Sequence, residues 1–244
     1  MTKIILLSGI FIAAAAAQPP MIRVIRNGSI QPYGRPDSNP GVTVFGMSAI
    51  SGLAENWLIE LHDSFGSLED LDGYLKQIPL APSGEPTRPD ELLTSSRALI
   101  AVYRPGLSYR PDQAVQSLPK MRYVDVVIYR LRPGTEADFG KFLKLRGFGQ
   151  DSINLDRPDM VYQVTSGGTS GIYLVITPLP SLRVLDDAKA NTPAYAQADI
   201  DAAKKIAADT ELVREHVWFR VEPALSRVSN QFAADDSAFW HPER

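Results

Sequence analysis

Arg122–Leu131 reads RYVDVVIYRL, and its alternation sets the reading of the whole chain. Val124, Val126 and Ile128 fall on one side of an extended strand; Tyr123, Asp125, Val127 and Tyr129 fall on the other. The first face is plain aliphatic and suits packing under helices. The second carries two phenols and a carboxylate and suits water or a lined pocket. Pro133-Gly134 ends the strand, and Thr135 followed by Glu136 and Asp138 reads as a helix start, a capping hydroxyl with acids near the positive helix end. Phe139, Phe142 and Leu143 then recur at helical spacing.

Upstream, strands are predicted over Met21–Ile25, Val42–Ile50, Trp57–Asp63 and Arg97–Arg104. Trp57, Ile59 and Leu61 share one face of the third; Leu58, Glu60 and His62 share the other. Asn27–Pro40, rich in Pro and Gly, reads as loop. Ser67 starts a helix through about Gln77 with Leu68, Leu71 and Leu75 as its stripe, and Pro79–Pro89 is again loop. Leu107–Lys120 reads as a linker. Downstream of the central helix come strands Met160–Thr165 and Ile172–Thr177, joined by a Gly167-Gly168 turn. Ser181 then caps a helix, an Ala-rich helix runs Ala198–Asp209, and Glu215–Glu222 is the last strand. Phe232–Arg244 has no assignable period.

The element order repeats, and so do residues. Arg97–Gln113 aligns without gaps on Glu215–Gln231, matching Pro105 with Pro223, Leu107 with Leu225, Ser108 with Ser226 and Gln113 with Gln231. Ser67-Leu68 with Leu71-Asp72 likewise falls on Ser181-Leu182 with Leu185-Asp186. The fold class is therefore α+β: duplicated ferredoxin-like βαββαβ units, two antiparallel sheets packed against each other within one chain. The units span residues 18–113 and 121–231, with a tail over 232–244. The first lacks the helix expected between its first two strands.

That order, with WLIELHDSFGSLEDL (57–71) and YVDVVIYRLRPGTEADF (123–139), resembles the dimeric α+β barrel superfamily, which includes antibiotic-biosynthesis monooxygenase-like and NIPSNAP-like proteins. The tandem form with a leader is similar to a set of exported bacterial proteins. The resemblance covers about Met21–Ser229 and implies a barrel with a small-molecule site between its sheets, in the manner of a cofactor-independent oxygenase. It brings no catalytic signature.

The first residues read as an address. Lys3 supplies a positive start, Ile4–Ile12 an apolar stretch, and Ala15-Ala16-Ala17 a small-residue cleavage site before Gln18, so residues 1–17 are expected to be a cleaved signal peptide and the mature chain periplasmic or secreted. That stretch is short for a bilayer span, and no stable membrane insertion is expected. The net charge of -3 and the lack of a basic run give no reason to expect nucleic acid. With 0 cysteines, disulfides and thiolate metal sites are excluded.

If the aliphatic faces lie under the helices, the opposite faces line the space between the sheets. That set is Tyr123, Asp125 and Tyr129, with His216, Trp218 and Arg220 from the last strand and Glu60 and His62 from the first half. A carboxylate, an imidazole, a guanidinium and aromatic walls suit an anionic or aromatic small molecule. Each also has a plainer reading: Trp218 as core, Arg220 with Asp125 as a salt bridge, His62 and His216 as exposed strand-end residues. A metal would need Glu60, His62 and His216 brought together, and no cofactor motif is present. A small-molecule binder or oxygenase-like enzyme and a non-catalytic envelope scaffold both remain open, as monomer or homodimer.

Overall fold

Among the described residues, alternation of aliphatic side chains makes eight strands, and they close on themselves into one antiparallel barrel. The computed structural model describes residues 20–27, 43–52, 54–62, 69, 72–73, 76, 97–153, 155, 157–190 and 197–241, without the side chains of residues 27, 62, 97, 187–190, 197–198 and 212. The expected leader, the 28–40 loop that stands where a helix is missing, most of the 67–77 helix and the 79–89 loop lie outside the described residues.

The first half supplies β1 (Met21–Asn27), β2 (Thr43–Ala49), β3 (Asn56–His62) and β4 (Arg97–Tyr103). The second supplies β5 (Tyr123–Leu131), β6 (Met160–Ser166), β7 (Ile172–Leu179) and β8 (Glu211–Val221). Around the ring the order is β1-β3-β2-β8-β5-β7-β6-β4, so β4-β1-β3-β2 is matched by β8-β5-β7-β6. The expected barrel is present, but its two runs of four are joined along both edges into one closed sheet and are not two separate sheets facing each other. β4 pairs with β6 (Val102 opposite Gln163), and β2 pairs with β8 (Met47 opposite Val221). Closure leaves no sheet edge to protect.

The inward face is the reverse of the expected one. Val124, Val126 and Ile128 join Ile22, Val24, Phe45, Met47, Trp57, Ile59, Leu174, Ile176, Val217 and Phe219 in a single core inside the barrel. Tyr129, Tyr173 and Val175 lie outside it, under a helix. The reason is geometric. A ring of eight strands is just wide enough for its own side chains to fill, so every strand must give its most apolar face to the inside. The outer face is only partly covered, and polar groups on it can reach water.

α1 (Pro111–Ser117) occupies what reads in sequence as a linker. Its Pro111 sits in the first turn, where no backbone N–H is missed, and Ala114 and Val115 are buried. With the following turn it delivers Leu118 and Met121 to one end of the barrel core. α2 (Glu136–Ser152) covers the outer face of β5 and β7, its Phe139 ring 5.0 Å from Tyr129 and 5.1 Å from Tyr173. Thr135 is its N-cap residue, but the hydroxyl donates back to the Arg132 carbonyl (2.7 Å) instead of accepting from the helix. α3 (Arg183–Ala190) and α4 (Gln197–Thr210) follow β7, and β8 starts directly at Glu211, ahead of the expected Glu215. The tail is also ordered: α5 (Asn230–Ala233) is capped by Ser229, and α6 (Ser237–Trp240) buries Trp240 against the core.

Each seam is fastened by the same device. After β4, the Arg104 N–H donates to the Val161 carbonyl (2.8 Å), and the Val161 N–H donates to Ser108 Oγ (2.9 Å), which itself donates to the Arg104 carbonyl (3.1 Å). After β8, the Glu222 N–H donates to the Gly46 carbonyl (2.8 Å), and the Gly46 N–H donates to Ser226 Oγ (2.9 Å), which donates to the Glu222 carbonyl (2.8 Å). Gly46 is required where the chain crosses it, because a Cβ there would sit 2.2 Å from Leu225 Cβ. Ser226→Ala leaves the buried Gly46 N–H without an acceptor and should cost about 1–3 kcal/mol by chemical denaturation. Ser108→Ala, at the more open seam, should cost less.

Candidate functional site

Asp125 is the most deeply buried carboxylate on the outer face of β5, at 1% exposure. One oxygen takes His216 Nε2 at 2.5 Å; the other takes the Arg157 guanidinium. Arg157 belongs to the loop leading into β6, and so does Asp159, which pairs with Arg146 of α2 and accepts the Tyr109 N–H at 3.1 Å. Two carboxylates and two guanidiniums thus interlock, the arrangement in which buried charges are tolerated. Burial pushes the Asp159 carboxyl up from the ordinary range; Arg146, the Tyr109 N–H and Arg157 pull it down, and Asp125 adds to the push.

His216 occupies the exposed margin of this cluster, with 44% of its side chain open. The short contact with the Asp125 carboxylate fixes the proton on Nε2, since a carboxylate can only accept. The indole Nε1 of Trp218 lies 3.1 Å from that same nitrogen. A nitrogen already donating to Asp125 has no lone pair for it, so the contact of weight is the edge-on packing of the rings, 5.7 Å apart at 90°. With the proton on Nε2, Nδ1 is left as an acceptor. Trp218 is held from the first half: its N–H donates to Ser51 Oγ and its carbonyl accepts the Ile50 N–H, each at 2.8 Å.

The residues singled out in sequence therefore part company. Asp125, His216 and Trp218 come together, but on the outer face and not between the sheets. Tyr129 points to the same outer side farther along β5, packed against Phe139 with the Arg214 guanidinium 5.8 Å over its ring. Burial pushes its phenol up, while Arg146 and Arg214 oppose. Tyr123 is half-buried opposite Arg220, and Arg220 reaches Glu222 (Nε to Oε1, 2.8 Å) with 59% of its side chain exposed. Glu60 lies on β3, separated from β8 by β2, and accepts from Arg23 at 3.1 Å. The His62 side chain lies outside the described residues. Among the described residues no three His or acidic side chains cluster as a metal site, and Glu60 and His216 are held apart by β2.

Arg146, Arg157 and Asp159 were not found by sequence reasoning. Arg157-Pro158-Asp159 lies between elements, where no periodicity marks a charge as inward, and Arg146 sits among other charges on a helix. Three atoms of this neighbourhood, Arg146 Nε, Arg157 Nε and Gln150 Oε1, are buried without a hydrogen-bonding partner in the protein. The barrel interior holds a cavity of about 20 Å³ walled by apolar side chains.

Asp125→Ala strands the Arg157 guanidinium and should lower stability by about 3–5 kcal/mol, read from denaturant unfolding. Arg220→Ala removes only an exposed pair and should stay within about 1 kcal/mol of the parent.

No protein-family model and no curated protein matches this chain. Among solved structures it is similar to an anthrone oxidase-like protein, at 11% identity, covering 85% of this chain and 93% of that one with a TM-score of 0.49. It is also similar to a candidate monooxygenase from Lactobacillus acidophilus NCFM (11% identity, 84% and 94% covered, TM-score 0.48). A third is a candidate monooxygenase from Fusobacterium nucleatum subsp. nucleatum (8% identity, 84% and 93% covered, TM-score 0.46).

Proposed function

We propose that this chain binds an anionic or aromatic small molecule on the outer face of β5 and β8, and that Asp125 and His216 act on it as a base. The observation that carries this reading is the half-open imidazole backed by a buried carboxylate at 2.5 Å. The carboxylate fixes the tautomer and stabilises the imidazolium that forms when Nδ1 takes a proton from the ligand. Trp218 supplies a flat wall beside it. In an oxygenase-like enzyme without a cofactor, such a base generates the substrate anion that dioxygen then oxidises.

We further propose that the two halves derive from one ferredoxin-like unit, residues 18–113 and 121–231. The repeated strand order and the repeated serine fastening support it. Export to the periplasm or medium is proposed on Lys3, the apolar 4–12 stretch and the Ala15-Ala16-Ala17 site. A second reading rests on the charge balance: Arg157 is met by Asp125 and Arg146 by Asp159, as in a structural ion-pair network. On that reading the barrel is a scaffold of the cell envelope.

Native mass spectrometry of protein from the exported fraction tests between them. The wild type should carry a small molecule that His216→Ala loses, with stability changed by no more than about 1 kcal/mol because the ring is on the surface. Arg220→Ala should retain it. An empty wild type, or a His216→Ala chain that keeps the molecule, favours the scaffold.

A further inference from the structure

We infer that the barrel has a second site, at the end beneath the C-terminal segment, for an uncharged apolar small molecule, and that residues 229–241 are its lid. The cavity there is about 20 Å³. That is room for about one water-sized guest, and its apolar walls offer a water no partners, so it is dry.

The wall composition points to a ligand. Met47, Met121 and Met160 all line this cavity, three of the 5 methionines in the chain. Unbranched, polarisable side chains with three rotatable bonds re-pack around guests of different shape, and cores that need only one shape use branched residues. Branched and aromatic side chains such as Ile22, Ile59 and Val124 complete the wall, so the three methionines are its adaptable part. With no charge in the lining, the guest is uncharged and apolar, unlike the ligand proposed for the outer face. The two sites lie on opposite sides of one strand, since Val124 lines this cavity and Asp125 faces out.

The walls are hydrogen-bonded strands, but the roof is not. Phe45, which lines the cavity, is covered by Phe232 (ring centroids 5.3 Å) and Trp240 (5.8 Å), from two four-residue helices joined by a turn. Their fastenings converge on a short stretch, residues 119–122. Trp240 Nε1 donates to the Pro119 carbonyl at 2.7 Å, Lys120 lies 3.9 Å from Asp235, and Arg122 both pairs with Asp236 and sits 3.8 Å over the Phe239 ring. Solvent-accessible ion pairs of this kind are individually weak. A guest larger than the cavity therefore enters by lifting this segment, and its apparent affinity is reduced by the small fraction of molecules that are open.

The probe is N-phenyl-1-naphthylamine, titrated into the full chain and followed by its fluorescence. Wild type should show saturable binding, and Arg122→Gln, which loses the ion pair and the ring contact together, should bind about tenfold more tightly. Met160→Trp, which fills the cavity, should lose binding while keeping its far-ultraviolet circular dichroism. One readout needs no variant: amide exchange over Asn230–His241 should accelerate at saturating probe. Absence of saturable binding in folded wild type and Arg122→Gln, equal affinity in all three proteins, or unchanged exchange in that segment overturns the inference.

Discussion

Closure of the barrel at two seams is the constraint from which the rest follows. Each seam is short, and each is fastened by a serine that accepts a backbone N–H from the opposite half while donating to a carbonyl of its own. These are hydrogen bonds to peptide groups that are obliged to pair, so the hydroxyls set register as well as adding energy. Gly46 shows how close the approach is: the chain leaving β8 passes over it with no space for a side chain. Once both seams are made, no strand is an edge, and the inner surface belongs to eight strands at once.

From that comes the division of chemistry. The interior excludes water, so Val124, Val126 and Ile128 go inward with their counterparts on β7 and β8. Charge is displaced to the outside, where it meets α2 and the loop before β6. Asp125, Asp159, Arg146 and Arg157 satisfy one another there, and His216 is the most open of the group. A buried carboxylate that orients an exposed imidazole is thus a by-product of the barrel's need for a dry inside, placed where the helical layer ends.

Most of the strands were legible because period-two alternation survives in each, and the serine pair Ser108 and Ser226 was visible as an aligned repeat without any sign of its purpose. The choice of inward face was not legible. An aliphatic face satisfies a helical layer and a barrel interior equally well, and only closure decides between them. α1 was hidden by Pro111, which reads as a breaker unless its place in the first turn is known. The tail was hidden by its brevity, since helices of four residues have no period to detect. Of the candidate site, Asp125, His216 and Trp218 could be found because strand register carries them; their arginine and aspartate partners come from a loop and a helix, whose placement no local pattern encodes.

The seam between β2 and β8 also explains why the site is built on β8. Trp218 is bound on both its backbone groups to Ile50 and Ser51, residues of the first half, while His216 two positions earlier reaches Asp125 in the second. The backbone of β8 is therefore clamped from both sides within three residues of the imidazole. An acid–base pair needs its geometry held more tightly than a surface ion pair does, and the seam is where this fold holds a side chain most tightly outside its core. The second half contributes the charged groups, but the first half fixes the strand that aims them, so neither half alone could present this pair.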